Sequence, residues 1–409
     1  MQTVATLGSF AWLSRTLPVT EVGRFGLYLA IVSLVMALDG VRQIAVVTAA
    51  SRSGEDSEQL EQLAAISLLF GAVAAACVMV VGMLLLSLAW IEAAPLAFTC
   101  FVLLATSPGL ARLEASGGPH IAVALHSISW SIALVLGSAL AVFSGRALSA
   151  AWAMLIAPLI VLTVLAIRRL LVRPALRKSR EITQLASQGI GSHFVIAVSS
   201  FLDKGAVAVQ AGPFALGLYT PLSELAGRAG ALSGMVSNLF LNDETRSTAG
   251  DGSALHRFRP HGLLMDTFFG LAGLAIISAA ILARPALDLF VARSSPPEVL
   301  TFRLLLAGLA LNIGAQWSAV TLRARGQFDL YRPYVISLGA ALALAPWLVS
   351  CAGIVGGALL VLLLRTADIA LIVRARQMLS PIQVILVLAT AIIVVAVAIT
   401  DVLSSGSWT

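Results

Sequence analysis

The chain has 409 residues, 59% of them hydrophobic and 11% charged, with 26 Lys and Arg against 20 Asp and Glu for a net charge of +6. Ordinary soluble domains carry about 45–50% apolar and about 25% charged residues, and the mean hydropathy of +0.97 leaves more apolar surface than a water-soluble core can hide. These figures exclude a soluble globular fold and a disordered chain. A polytopic membrane protein remains.

A spanning helix needs about 20 mostly apolar residues. The apolar blocks predict spans at 3–17, 24–49, 63–90, 95–112, 121–143, 149–171, 189–210, 215–240, 262–283, 300–322, 333–350, 353–374 and 382–403. Runs such as 78–90 and 384–399 are apolar on every face, as lipid-embedded helices are, whereas the strands of a membrane barrel alternate with period two. The first span is short, about 22 Å long against a hydrocarbon core of about 30 Å. No basic region with a cleavage site precedes it, so it is expected to serve as its own insertion signal.

Basic residues orient the chain. With the N-terminus cytoplasmic, most of them fall on the inside, from Arg42 and Arg52 through Arg168–Arg180 to Arg374 and Arg376. Arg15, Arg24, Arg146, Arg284, Arg293 and Arg303 fall outside, an asymmetry that obeys the positive-inside rule. It accounts for the basic balance without nucleic acid. The dense stretch from Arg168 to Arg180 reads as an anchor at the anionic inner leaflet and as the linker between two halves.

Phe25-Gly26-Leu27-Tyr28 opens the second span and Leu216-Gly217-Leu218-Tyr219 the eighth; Ala115-Ser116-Gly117 follows the fourth and Ala324-Arg325-Gly326 the tenth. The same order in both halves predicts two six-helix bundles inserted in the same sense, related by an axis along the membrane normal. The expected fold is therefore an all-α polytopic membrane protein of about 12–13 transmembrane helices, in two pseudo-symmetric bundles around a central cavity. The expected parts are 1–171, the basic cytoplasmic linker 172–188, 189–374, and an extra span with its tail at 375–409.

Several motifs carry a family resemblance. They are Ser14-Arg15-Thr16-Leu17-Pro18 with Glu21-Val22-Gly23-Arg24-Phe25-Gly26-Leu27-Tyr28, Leu38-Asp39-Gly40 with Arg42, Phe201-Leu202-Asp203, Arg323-Ala324-Arg325-Gly326-Gln327, and Gly353-Ile354-Val355-Gly356-Gly357-Ala358. The chain resembles, over nearly its whole length, the Wzx-type O-antigen and polysaccharide flippases of the multidrug/oligosaccharidyl-lipid/polysaccharide (MOP) exporter superfamily. The resemblance implies a bacterial inner-membrane transporter, not an enzyme. It would flip a polyprenyl-pyrophosphate-linked oligosaccharide by alternating access, among membrane lipids and polysaccharide assembly proteins. Members usually have twelve or fourteen spans, and the thirteenth here has no counterpart in the first half.

Ionisable groups cost about 2.5–3.5 kcal/mol each near the centre of a span, so those retained face a cavity or a partner. Lys204, Arg228 and Arg365 lie inside spans, with Asp203, Glu224 and Asp368 beside them. Glu224 and Arg228 are four apart, and Arg365 and Asp368 three apart, which stacks each pair on one helix face. Asp203 and Lys204 are adjacent and point about 100° apart; Lys204 either faces the lumen or bridges the halves. Asp39 and Arg42 sit toward the inner end of their span, where side chains can snorkel to water. These eight residues are the candidate cavity set. A cation there would lower the cost of moving a pyrophosphate through low dielectric.

Cys77, Cys100 and Cys351 are far apart and read as core residues. The histidines show no metal spacing, and no phosphate-binding GxxxxGK[ST] loop occurs. No metal or cofactor is expected, and proton or sodium coupling stays open. The alternatives are a cation-coupled drug exporter of the same superfamily, whose first-helix carboxylate is missing here, and a membrane glycan polymerase or ligase, which needs a larger outer loop than 284–299.

Overall fold

The computed structural model describes residues 2–37, 56–115, 119–175, 194–195, 197–199, 201–228, 262–291, 294–324, 332–375 and 380–405. They are helical almost throughout, with no strand among the described residues. In chain order come α1 (Gln2–Thr16), α2 (Val19–Ala37), α3 (Asp56–Leu84), α4 (Trp90–Ala115), α5 (Pro119–Ser144), α6 (Leu148–Ala153) and α7 (Ile156–Ile167). After α8 (201–228) follow α9 (Gly262–Ile281), α10 (Ala283–Val291), α11 (Pro296–Ala324), α12 (Arg332–Arg374) and α13 (Pro381–Ser405). Among the described residues eight helices are long and apolar enough to cross a membrane, or nine if α9 and α10, bent by 74°, form one span. Each predicted span coincides with helix over most of its described residues.

Glycine divides the longest helix. The 43 residues of α12 would reach about 65 Å at 1.5 Å per residue, twice the hydrocarbon thickness. The helix breaks at Gly353, whose φ of 54° and ψ of −125° are non-helical and costly for any residue with a Cβ. Three residues later a Cβ on Gly356 would run into the Leu348 carbonyl oxygen and lie 2.9 Å from Val349 Cα. The second leg can therefore fold straight back. The break falls at the first residue of the predicted span 353–374, three residues past the end of 333–350, and α8 likewise turns at Gly212, with φ of 81°.

Contacts divide the chain into two compact units, Met1–Gly217 and Leu218–Thr409. In the first, α4 is central: 72% of its apolar stretch is buried, against 33% in α3. Phe10, Phe25, Tyr28, Leu96, Leu104 and Trp130 fill this core, with the edge of one ring of Phe10 and Phe25 on the face of the other at 5.3 Å. Residues 213–217 cross α2 with no clearance. A Cβ on Gly23 would strike the Pro213 carbonyl oxygen, and one on Gly217 would strike that of Val19.

In the second unit α11 is central, with 89% of its apolar stretch buried, and α13 lies at the edge with 33%. The span that lacked a counterpart thus has a seat, against α9 and α11. Asp266 of α9 accepts hydrogen bonds from Ser380 Oγ at 2.9 Å and Gln383 Nε2 at 2.8 Å. Ser380 and Gln383 also cap α13 reciprocally, Gln383 N–H donating to Ser380 Oγ at 3.1 Å and Ser380 N–H to Gln383 Oε1 at 3.3 Å, the capping-box pattern. At the bend between α9 and α10 the buried Arg303 donates from Nε to the Ala280 carbonyl at 2.8 Å, satisfying an otherwise orphaned helix-end acceptor. Of the cysteines, only Cys100 is a core residue; Cys77 and Cys351 are exposed, which corrects the sequence reading, because an apolar span supports a lipid-facing thiol as readily as a buried one.

The hairpin supplies a stability test. Gly356→Ala is expected to cost about 1–3 kcal/mol, the range for overpacking, and to lower the melting temperature of the detergent-solubilised chain. Gly339→Ala, in the same helix with nothing within 4 Å of the added carbon, should leave it unchanged or raise it.

Candidate functional site

In the second unit the predicted pairs form. Arg228 Nη2 lies 3.3 Å from Glu224 Oε2, one turn apart on α8, and Arg365 Nη1 lies 3.4 Å from Asp368 Oδ2 on the second leg of α12. The second pair belongs to a larger network. Asp368 is fully buried; its other oxygen accepts the Tyr334 hydroxyl at 2.5 Å, and Asn312 of α11 also bonds its carboxylate. Gln316, one turn along α11, donates from Nε2 to Asn312 Oδ1 at 2.6 Å.

Exposure separates the two charges. The Arg365 side chain is 30% exposed and that of Asp368 0%. The Arg365 stem passes over Gly308, where a Cβ would lie in ordinary contact, 3.5 Å from Arg365 Cγ. The carboxylate is thus held from three helical segments, whereas the Arg365 side chain keeps partial exposure. A planar cation with spare N–H groups is suited to bind a phosphate or carboxylate.

In the first unit Asp203 is buried and Lys204 half-buried on α8, and both have interaction partners. Asp39 and Arg42 lie outside the described residues. A second buried network, which the sequence reading passed over, centres on Glu92 of α4. Its Oε1 accepts the Tyr28 hydroxyl at 2.5 Å and its Oε2 the Ala89 N–H at 2.8 Å. Arg24 Nη1 stands 3.7 Å from Glu92 and 3.5 Å from Glu21, and Glu21 accepts the Ala147 N–H at 2.7 Å. The first turn of α2 is thereby tied to the α5–α6 turn through Glu21, and its next two turns to the start of α4 through Arg24 and Tyr28. Glu92 stands three residues after Ala89 at the start of a helix, a capping position that could have flagged half of its role; Tyr28 is too distant in sequence to be paired with it by eye.

A recess in this unit is lined by Val35, Met36, Leu103, Leu104, Leu110 and Val161, with Thr106 and His126 as its polar groups, and has no charge to hold an ion. Among the described residues no group of three or more His, Cys, Asp or Glu could hold a metal.

Glu92→Ala would leave the buried Tyr28 hydroxyl without its acceptor, at about 1–3 kcal/mol for that orphaned group, and would also remove the acceptor of the Ala89 N–H. Thermal melting in detergent should show a large loss for Glu92→Ala and a smaller one for Glu92→Gln, which keeps an acceptor oxygen in place.

No protein-family model and no curated protein matches the chain. Solved structures do. A lipid II flippase, MurJ, in an inward closed conformation, superposes with a TM-score of 0.75 at 13% identity, over 98% of this chain and 91% of that one. An inward-facing multidrug resistance MATE family transporter of the MOP superfamily gives 0.59 at 17% identity, over 93% and 95%. A MOP superfamily transporter from Pyrococcus furiosus, described as having a binding pocket of reverse polarity, gives 0.51 at 18%, over 93% and 92%. The chain has the helical membrane fold of the MOP superfamily transporters.

Proposed function

We propose that the chain is a flippase of the bacterial inner membrane, N-terminus cytoplasmic, that moves a polyprenyl-pyrophosphate-linked oligosaccharide for surface polysaccharide export. Two six-helix halves, 1–171 and 189–374, joined by the basic segment 172–188, would rock about a central cavity, with 375–409 as an added span. The glycan would travel in water while the polyprenyl tail stays in lipid. Lys204, Arg228 and Arg365 would meet the pyrophosphate, with Asp203, Glu224 and Asp368 as positioning residues and Asp39 and Arg42 at the inner end.

The observation that carries this reading is the Arg365–Asp368 pair, a partly exposed arginine whose carboxylate partner is wholly buried. Spans shed charge unless it is used or neutralised, and here the neutralising partner leaves one side of the cation available. An arginine that can exchange its carboxylate for another anion suits an anionic headgroup. The flippase among the structural neighbours also superposes over nearly the whole chain. The drug-exporter reading draws on the MATE neighbours, but α1, QTVATLGSFAWLSRT, holds no carboxylate to bind a coupling cation.

Complementation tests the proposal. Expressed in a bacterium lacking its polysaccharide flippase, the chain should restore surface glycan. Arg365→Ala should reduce it by about tenfold or more, as expected for losing charge-assisted hydrogen bonds worth about 1.5–3 kcal/mol. Lys204→Ala and Arg228→Ala should also lower export. Full export by all three variants removes the cationic site, and drug resistance without glycan export favours the alternative.

A further inference from the structure

Asp368 holds Arg365 with one carboxylate oxygen and is itself held by Tyr334 and Asn312. Any anion that engages the exposed side of Arg365 must compete with Asp368 for the same guanidinium. If the anion wins, Asp368 is left in a fully buried place without its cation. The groups facing it are Arg365 from its own leg, Tyr334 from the first leg of α12, and Asn312 from α11; none of the other two supplies a positive charge. An isolated carboxylate in a low-dielectric interior costs several kcal/mol, and such a group neutralises by taking a proton instead.

We infer that Arg365 and Asp368 form an anion–proton exchange couple, in which binding of a pyrophosphate group to Arg365 is matched by protonation of Asp368. The balance is simple. The guanidinium keeps its charge and changes partner. A proton from water bonds to the Asp368 oxygen that Arg365 releases, and the Tyr334 hydroxyl goes on donating to the other oxygen. Release of the anion reverses both steps, Arg365 returning to Asp368 as the proton leaves. The open side of Arg365 is the way in for both. The geometry suits this exchange because the two charges are unequal in access: a solvated carboxylate would stay ionised without its partner, and a buried guanidinium could not meet an anion. This couple rests on the proposed handling of a pyrophosphate-linked substrate and adds a coupling ion to it.

The full-length chain in detergent, in weakly buffered solution with a pH indicator, provides the test. Inorganic pyrophosphate represents the free anion and farnesyl pyrophosphate the lipid-linked one. Saturating pyrophosphate should be accompanied by uptake of about one proton per bound anion, the linkage expected when one group changes its protonation state. Infrared difference spectra should show a carboxylic-acid C=O band growing in. Asp368→Asn, which preserves shape and can still accept from Tyr334, should bind pyrophosphate at least as tightly, with that uptake and the band lost. Arg365→Gln should bind at least about tenfold more weakly, a difference of about 1.4 kcal/mol. If farnesyl pyrophosphate elicits the response and inorganic pyrophosphate does not, the site reads the lipid-linked form. Proton uptake or a carboxylic-acid band unchanged in Asp368→Asn overturns the couple, as does unchanged binding in Arg365→Gln. Failed glycan complementation with the exchange intact would instead overturn the proposed substrate.

Discussion

A membrane interior allows a charge only where something nearby satisfies it, and the internal architecture of this chain follows that constraint. Glu92 and Asp368 are buried to 6% and 0% exposure, yet each is surrounded by donors from its own and neighbouring helical segments: Tyr28, Ala89 and Arg24 for the one, Tyr334, Asn312 and Arg365 for the other. Removing a partner from such a group costs more than the hydrogen bond itself contributed, because the desolvated partner is left behind. These carboxylates therefore act as fasteners. Glu92 ties the second and third turns of α2 to the start of α4, Asp368 ties both legs of α12 to α11, and Asp266 ties α9 to the start of α13.

The same economy governs the backbone. With no water in the hydrocarbon to satisfy peptide groups, the chain must cross as helix, and it must turn sharply where a helix ends. Gly353 supplies a conformation that other residues resist, and Gly356 removes the side chain that would hold the returning leg away. At Gly23 and Gly217 the missing Cβ atoms allow two backbones to touch. Small residues let helices approach in lipid, where burial of apolar surface between helices gives little drive. The polar fasteners and the glycine contacts supply what hydrophobic association cannot.

Function follows from the asymmetry of one pair. Ion pairs in the described spans are answered in different ways: Glu224 and Arg228 are both largely covered on one helix face, and Arg24, itself 48% exposed, is shared between Glu21 and Glu92. Arg365 faces an acid that is wholly sealed in, on its own helix leg, while the Arg365 side chain is itself partly open. An open cation with a captive partner is a binding group whose occupancy feeds back on the partner's charge, and that property suits a carrier that must both hold and release an anionic headgroup.

Much of this was legible from the sequence because it depends on neighbours along the chain. The apolar runs marked the spans, for a lipid-facing helix needs no period. Spacings of three and four residues marked Arg365 with Asp368 and Glu224 with Arg228, since a helix brings those positions onto one face. Gly353 fell at the first residue of a predicted span. What sequence alone could not determine was which distant segment completes each site. Tyr334 reaches Asp368 from 34 residues away, Tyr28 reaches Glu92 from 64, and α13 finds its seat on α9 through Asp266, more than a hundred residues earlier. Helical periodicity is local and can be read residue by residue, whereas the choice of partner for a buried acid depends on how whole helices pack, and only the tertiary structure holds that information.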